Sequence, residues 1–204
     1  MFPKLYPHLK GLLQLDASAK GTFPGARPTG VTVHYSADRD IDRFVRTLVE
    51  RGLGYHLMID RNGDIIQMTS FDRKVWHAGR SVWAGQRPNH SHIAVAIASW
   101  GYLEQLEPHE FQSWAKVKIP KEDVAFRPDS IKGVVKPWDS ATLSQIASLF
   151  EILRFFTAQG ISASDICGHD EAALPPGRKS DPGGVLPMSM DQIRRALAHD
   201  AAIV

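Results

Sequence analysis

The chain has 204 residues, enough to fill one hydrophobic core and close to the usual size of a single α/β domain. Hydrophobic residues make up 43% and charged residues 23%, which excludes wholesale disorder. The formal charge of +2, with no run of five or six basic residues, excludes a typical nucleic-acid binder and leaves a mildly basic surface suited to a polyanionic partner. The single cysteine, Cys167, rules out an intrachain disulfide, which favours folding in the cytosol. Met1 to Asp16 carries two lysines and a short Leu-Leu-Gln-Leu patch, without a long apolar core followed by a small-residue cleavage site. We expect synthesis in the cytoplasm without a signal peptide. No apolar run approaches the roughly 18 residues of a membrane span.

Residues 1–30 are rich in Gly and Pro and are expected to form an irregular arm over a domain spanning 31–204. Val31 to Tyr35 is β-branched and alternating, which predicts a core strand. A helix is predicted from about Ile41 to Arg51, with Phe44, Val45, Leu48 and Val49 at helical spacing and Gly52 as its stop. Two apolar runs, Leu57–Ile59 and Ile65–Met68, flank Asn62-Gly63, a hairpin signal in which both turn residues tolerate positive φ. A buried strand over Ile93–Ile97 follows a loop containing Trp76-His77-Ala78-Gly79.

Residues 102–138 carry mixed charges and scattered prolines, and read as a surface insertion. A second helix is predicted from Thr142 to Gln159, with Thr142 and Gln145 at capping-box spacing. Ile161 to Cys167 leads into Gly168-His169-Asp170 and a Pro/Gly-rich loop, and a last helix lies near Met190 to Ala198. This order predicts a single α/β domain with a central mixed β-sheet flanked by α-helices.

Three residues stand out chemically: His34 at the end of one strand, His169 just after another, and Asp181 twelve residues on. Two imidazoles and a carboxylate form a usual ligand set for catalytic zinc, which keeps one position open. Spacing alone decides little among nine histidines. The local sequences carry more: Val31-Thr32-Val33-His34-Tyr35-Ser36, Gly54-Tyr55-His56 through Gly63, Trp76-His77-Ala78-Gly79, and Gly168-His169-Asp170-Glu171 with Pro176-Gly177-Arg178-Lys179-Ser180-Asp181-Pro182-Gly183 occur in that order. Together they resemble the type 2 N-acetylmuramoyl-L-alanine amidase family, over about residues 29–198 without the insertion.

The resemblance implies a zinc enzyme that cuts the amide between N-acetylmuramic acid and the L-alanine of a peptidoglycan stem. It implies His34, His169 and Asp181 as metal ligands, Lys179 at the scissile carbonyl, and Tyr55 as a second catalytic group. His77, Trp83 and Asn89 fall in the segment that lines the family's substrate groove. His56 should point to the opposite face from Tyr55, and Cys167 reads as a small buried apolar residue. Recycling-type members carry a glutamate base where this chain has Ala96; the phage branch lacks it and keeps the tyrosine, so a lytic, endolysin-like enzyme is expected. Its partner is peptidoglycan or a muropeptide, and a monomer is expected. Two alternatives stay open: a cytosolic amidase recycling anhydro-muropeptides, and a module that binds peptidoglycan without cutting it.

Overall fold

Val31, Thr32 and Val33 suit a pleated, fully buried surface, and the strand they belong to lies inside a six-stranded sheet. A computed structural model describes residues 2–12, 16, 18–130 and 132–203; most of the Leu-Leu-Gln-Leu patch lies outside them. In chain order the strands are β1 (Gly11–Leu12), β2 (Gly30–Tyr35), β3 (Leu57–Ile59), β4 (Ile65–Gln67), β5 (His92–Ile97), β6 (Glu104–Glu107), β7 (Glu110–Gln112), β8 (Lys118–Ile119), β9 (Val124–Pro128), β10 (Val135–Asp139) and β11 (Ile166–Gly168). The helices are α1 (Ile41–Glu50), α2 (Pro88–Ser91), α3 (Leu143–Ala158), α4 (His169–Ala172) and α5 (Met190–Ile203). The main sheet has the order β1-β4-β3-β5-β2-β11 and is mixed, because β3 and β4 run antiparallel while β3-β5, β5-β2 and β2-β11 are parallel.

Helices α1 and α3 start where their residues require, and α1 stops on the same terms. Asp40 caps α1 by accepting from Arg43 N, and Gly52, at φ 61°, supplies the left-handed exit. Thr142 and Gln145 form the reciprocal capping box of α3. The apolar face of α3 (Leu149, Ile152, Leu153, Phe156) packs with Val31, Val33, Leu57 and Ile93 in the larger core. On the opposite face α1 buries Val45 and Leu48 with Met58, Ala94 and Ala96. No helix among the described residues is long and apolar enough to cross a membrane.

Three features differ from the expectation. The β3–β4 connection is a five-residue turn closed by Asp60 N to Asp64 O (2.9 Å), and of the Asn62-Gly63 pair only Gly63 takes positive φ (91°); the Asn62 side chain accepts from Asp64 N instead. The last helix runs past Ala198 to Ile203. The 102–138 segment is a folded element: β6-β7-β8 form one small antiparallel sheet and β9-β10 another. Its final residue, Trp138, is fully buried in the main core, so the segment is sewn into the domain at its end. The arm contributes as well, with Tyr6 and Phe23 in the core and β1 as an edge strand.

Two buried histidines make stability depend on pH. His56 Nε2–H donates to Arg73 O (2.8 Å) and its Nδ1 accepts from Ala94 N (2.9 Å); His92 Nδ1 lies 2.9 Å from Thr32 Oγ1. Burial pushes both down to about 4. Between that value and about 6.5 the unfolded chain binds protons that the folded chain refuses, so stability is complete above about pH 6.5 and falls as pH drops. At pH 5 each histidine should cost about 2 kcal/mol. Urea unfolding with a chelator present, at pH 7.5 and pH 5, should show a clear fall in midpoint; equal midpoints would refute this account.

Candidate active site

The sheet register brings the site together. Gly168 of β11 pairs with Val33 of β2, so the next residues, His169 and His34, emerge side by side with rings 4.6 Å apart. Only glycine fits at 168, because a Cβ there would lie 2.3 Å from Asp170 Oδ1 and 2.8 Å from Pro182 Cδ. The loop after α4 is tied back by Asp170 N to Asp181 O (2.7 Å), which holds Asp181 against both imidazoles. Asp181 Oδ2 lies 2.7 Å from His34 Nδ1 and 2.9 Å from His169 Nδ1, and all three side chains are buried.

The second nitrogen of each ring decides what the first can do. His169 Nε2 donates to the Ala78 carbonyl (2.8 Å), so its Nδ1 presents a lone pair toward the Asp181 carboxylate. Two acceptors facing each other repel unless a cation lies with them. His34 Nε2 is 3.0 Å from His77 Nδ1. Burial and the neighbouring His169 push His34 down to about 4, leaving it neutral near pH 7. Burial alone would raise the Asp181 carboxyl, but the His169 and His34 rings set against it outweigh that and hold it well below the usual carboxylate range. The result is a buried carboxylate beside two imidazole nitrogens, with ligand atoms within 4.8 Å of one another. That donor set fits a divalent metal ion, and these are the three residues that would hold one.

The site opens into a cavity of about 290 Å³ lined by Tyr35, Ala37, Tyr55, His77, Lys179 and Asp181, among others. Lys179 is exposed here. The Tyr55 ring stands 4.9 Å from His34 and is stacked on Phe44, and burial raises its phenol, with the Asp181 charge adding to the effect, so it stays protonated. His77 is half-buried and turns its Nδ1 to His34, so it braces the ligand as well as lining the cavity.

The structure does not bring Trp83 or Asn89 to this cavity. Trp83 donates through its indole N–H to Ser164 O (2.9 Å) and lies under the Arg194 guanidinium (5.2 Å). Asn89 Oδ1 accepts from His77 N and Ala78 N, which fixes the loop that carries His77. Cys167 points to Thr32 Oγ1 (3.6 Å), and burial raises its thiol to about 12, so it is an inert packing group. His56 is held within the core by the two bonds described above.

Two contributors escaped the sequence reading. Arg178 bridges the ligand loop to the 78–81 segment, donating to Ala78 O (3.0 Å), Arg80 O (2.8 Å) and Leu174 O (2.9 Å). Its position beside Lys179 in Pro176-Gly177-Arg178-Lys179 was the only available signal. Tyr35, the residue after His34, bonds Ser180 Oγ (3.0 Å) beside Asp181 and lines the cavity.

Comparison with known proteins follows the same lines. Residues 24–184 match the model of the family described as N-acetylmuramoyl-L-alanine amidase, Amidase_2. No curated protein is a significant match. The fold resembles a selenomethionine derivative of AmpD (TM-score 0.58, 18% identity, 97% of this chain and 99% of that one). It also resembles the N-acetylmuramyl-L-alanine amidase AmiD from E. coli, solved with anhydro-N-acetylmuramic acid-L-Ala-D-gamma-Glu-L-Lys (TM-score 0.59, 24% identity, 90% of this chain and 60% of that one). A third is the endolysin N-acetylmuramoyl-L-alanine amidase LysCS from Clostridium intestinale (TM-score 0.58, 15% identity, 95% of this chain and 99% of that one). At these identities the structures establish a shared α/β fold. The family match spans most of the chain and takes in His34, His169, Asp181, Tyr55 and Lys179, and on that ground the protein belongs to the N-acetylmuramoyl-L-alanine amidase family of peptidoglycan amidases.

Proposed function

We propose that the metal is zinc and that the protein hydrolyses the amide between N-acetylmuramic acid and L-alanine in the lytic manner of the phage branch. The observation that carries this reading is the complete, buried donor set of His34, His169 and Asp181 opening onto a cavity that also holds Lys179 and Tyr55. A module that only binds the wall has no need of that set. When bound, zinc supplies Lewis-acid polarisation of the carbonyl and lowers the pKa of water to about 7.

The chain's own groups divide the remaining work. Amide hydrolysis builds negative charge on the carbonyl oxygen, and the Lys179 ammonium faces the cavity where that charge develops. Tyr55, kept protonated, is a hydrogen-bond donor that orients water or carbonyl and is poorly suited to act as a base. Ala96 pairs in register with both His34 and Met58, so a methyl group lies beside the ligand where recycling-type relatives have a carboxylate. With no carboxylate there, the proton for the departing nitrogen is left to groups such as Tyr35, Tyr55, His77 and Lys179, which line the same cavity. This supports the lytic reading over recycling.

Four measurements test the proposal. Protein purified without added metal should hold about one zinc per chain by elemental analysis; less than about a tenth of an equivalent, not restored by zinc dialysis, would remove the metal assignment. His34→Ala, His169→Ala and Asp181→Ala should each lose zinc and hydrolysis, while Cys167→Ala keeps both.

Lys179→Ala should retain zinc and fold yet lose roughly 10²–10³ in kcat, the cost of one oxyanion donor. Wild-type turnover in that variant would return Lys179 to an ordinary loop charge. Finally, mass spectrometry of products should show release of stem peptides from intact sacculi. Cleavage confined to soluble anhydro-muropeptides would favour recycling instead.

A further inference from the structure

The insertion places one aromatic ring beside the catalytic cavity. Trp114 sits in the turn between β7 and β8, which is closed by Ser113 N to Val117 O (2.9 Å) and Lys116 N to Ser113 O (2.9 Å), with Lys116 in the left-handed region at φ 62°. The turn is carried by a small core of its own, in which Phe111 and Ile119 pack with Trp100 and Leu103. Trp114 donates its indole N–H to Ala37 O (2.9 Å), and Ala37 lines the catalytic cavity. Its ring meets Trp100 edge-on at 6.1 Å, and Trp100 is backed by the Arg43 guanidinium at 5.5 Å.

Despite these anchors, Trp114 remains 66% exposed. Its only polar atom is satisfied, so what it offers outward is a rigid, apolar ring surface. A protein partner docking here would look for a contiguous apolar patch of several hundred Å². The insertion exposes other apolar side chains, such as Leu106, Val117 and Phe126, but Trp114 is the one bonded to a residue that lines the cavity, and a fixed ring there suits a smaller, amphipathic ligand. A pyranose fits that description, with one face of C–H groups and a hydroxyl edge. The amide cut in the cavity hangs from a sugar of a glycan strand, so neighbouring sugars must cross the cavity rim.

We infer that Trp114 is a saccharide-stacking subsite through which the insertion extends the site from the amide onto the glycan strand. This rests on the amidase reading above and adds polymer recognition to it. The direct probe is a β-1,4-linked N-acetylglucosamine tetramer, titrated calorimetrically into the full-length zinc-loaded protein. Wild type should bind saturably, Trp114→Ala should bind at least about tenfold more weakly, and Trp114→Phe should stay within about threefold because it keeps an aromatic face. The ratio of kcat/KM on intact sacculi to that on a soluble muramyl-peptide should also fall about tenfold in Trp114→Ala.

No binding by wild type, or equal loss in Trp114→Ala and Trp114→Phe, would overturn the inference; the second result would show that the bond to Ala37 matters and the ring face does not. Hydrolysis of muramyl-peptide by a wild type that ignores the tetramer would sink the subsite alone. Tetramer binding that depends on Trp114 in a protein unable to hydrolyse would support the subsite and sink the amidase reading alone.

Discussion

A carboxylate held between two imidazole nitrogens inside the protein is the constraint on which the rest depends. Asp181 remains ionised there, and His169, having used its Nε2–H on Ala78, faces it with a lone pair. Buried charge of this kind is stable only when compensated, and a metal ion is the compensation its geometry fits. The parallel pairing of β2 with β11, the glycine at 168 and the loop tie from Asp170 to Asp181 all act to set these three atoms together. The surrounding groups then differ in how freely they can move: Lys179 is exposed, whereas Tyr55 and His34 are packed in place.

Much of this was legible in the sequence because it rests on short-range rules. β-branched alternation marked β2, the Thr142–Gln145 pair marked the start of α3, and Gly52 marked the end of α1. The residues of the His34–His169–Asp181 cluster were legible through ordered local motifs: two histidines at or just after strand ends and an aspartate in the loop that follows. The contacts of Trp83, Asn89 and Arg178 were not legible. They bond to backbone atoms of loops distant in sequence, such as Trp83 to Ser164 and Arg178 to Ala78, and loops have no periodicity from which to infer partners. The hairpin signal held, since β3 and β4 pair antiparallel across this segment, but the detail of the turn was not legible: the Asn62 side chain bridges to Asp64, and only Gly63 takes positive φ.

The insertion shows the same division. Its charged strand β6 is exposed along its whole length, as composition suggested. Its end is different: Asp139 is buried, accepts from Trp100 N (2.7 Å) and pairs bidentately with Arg39. Trp138 beside it packs so closely on Gly184 that a Cβ there would lie 2.3 Å from the indole nitrogen. Residue by residue the segment looks peripheral, yet its final strand closes the core behind the ligand loop.

The Ala78 carbonyl has one further consequence. Its two lone pairs serve two masters, the His169 ring on one side and the Arg178 guanidinium on the other, and the amide nitrogens of His77 and Ala78 are both clamped by Asn89. A loop fastened through the N–H groups of two successive peptides and the carbonyl of the next cannot swing as a lid without releasing the His169 imidazole. This face of the protein is thus a fixed mould: substrates are admitted by fitting it, and choice among them is left to the side chains along its rim.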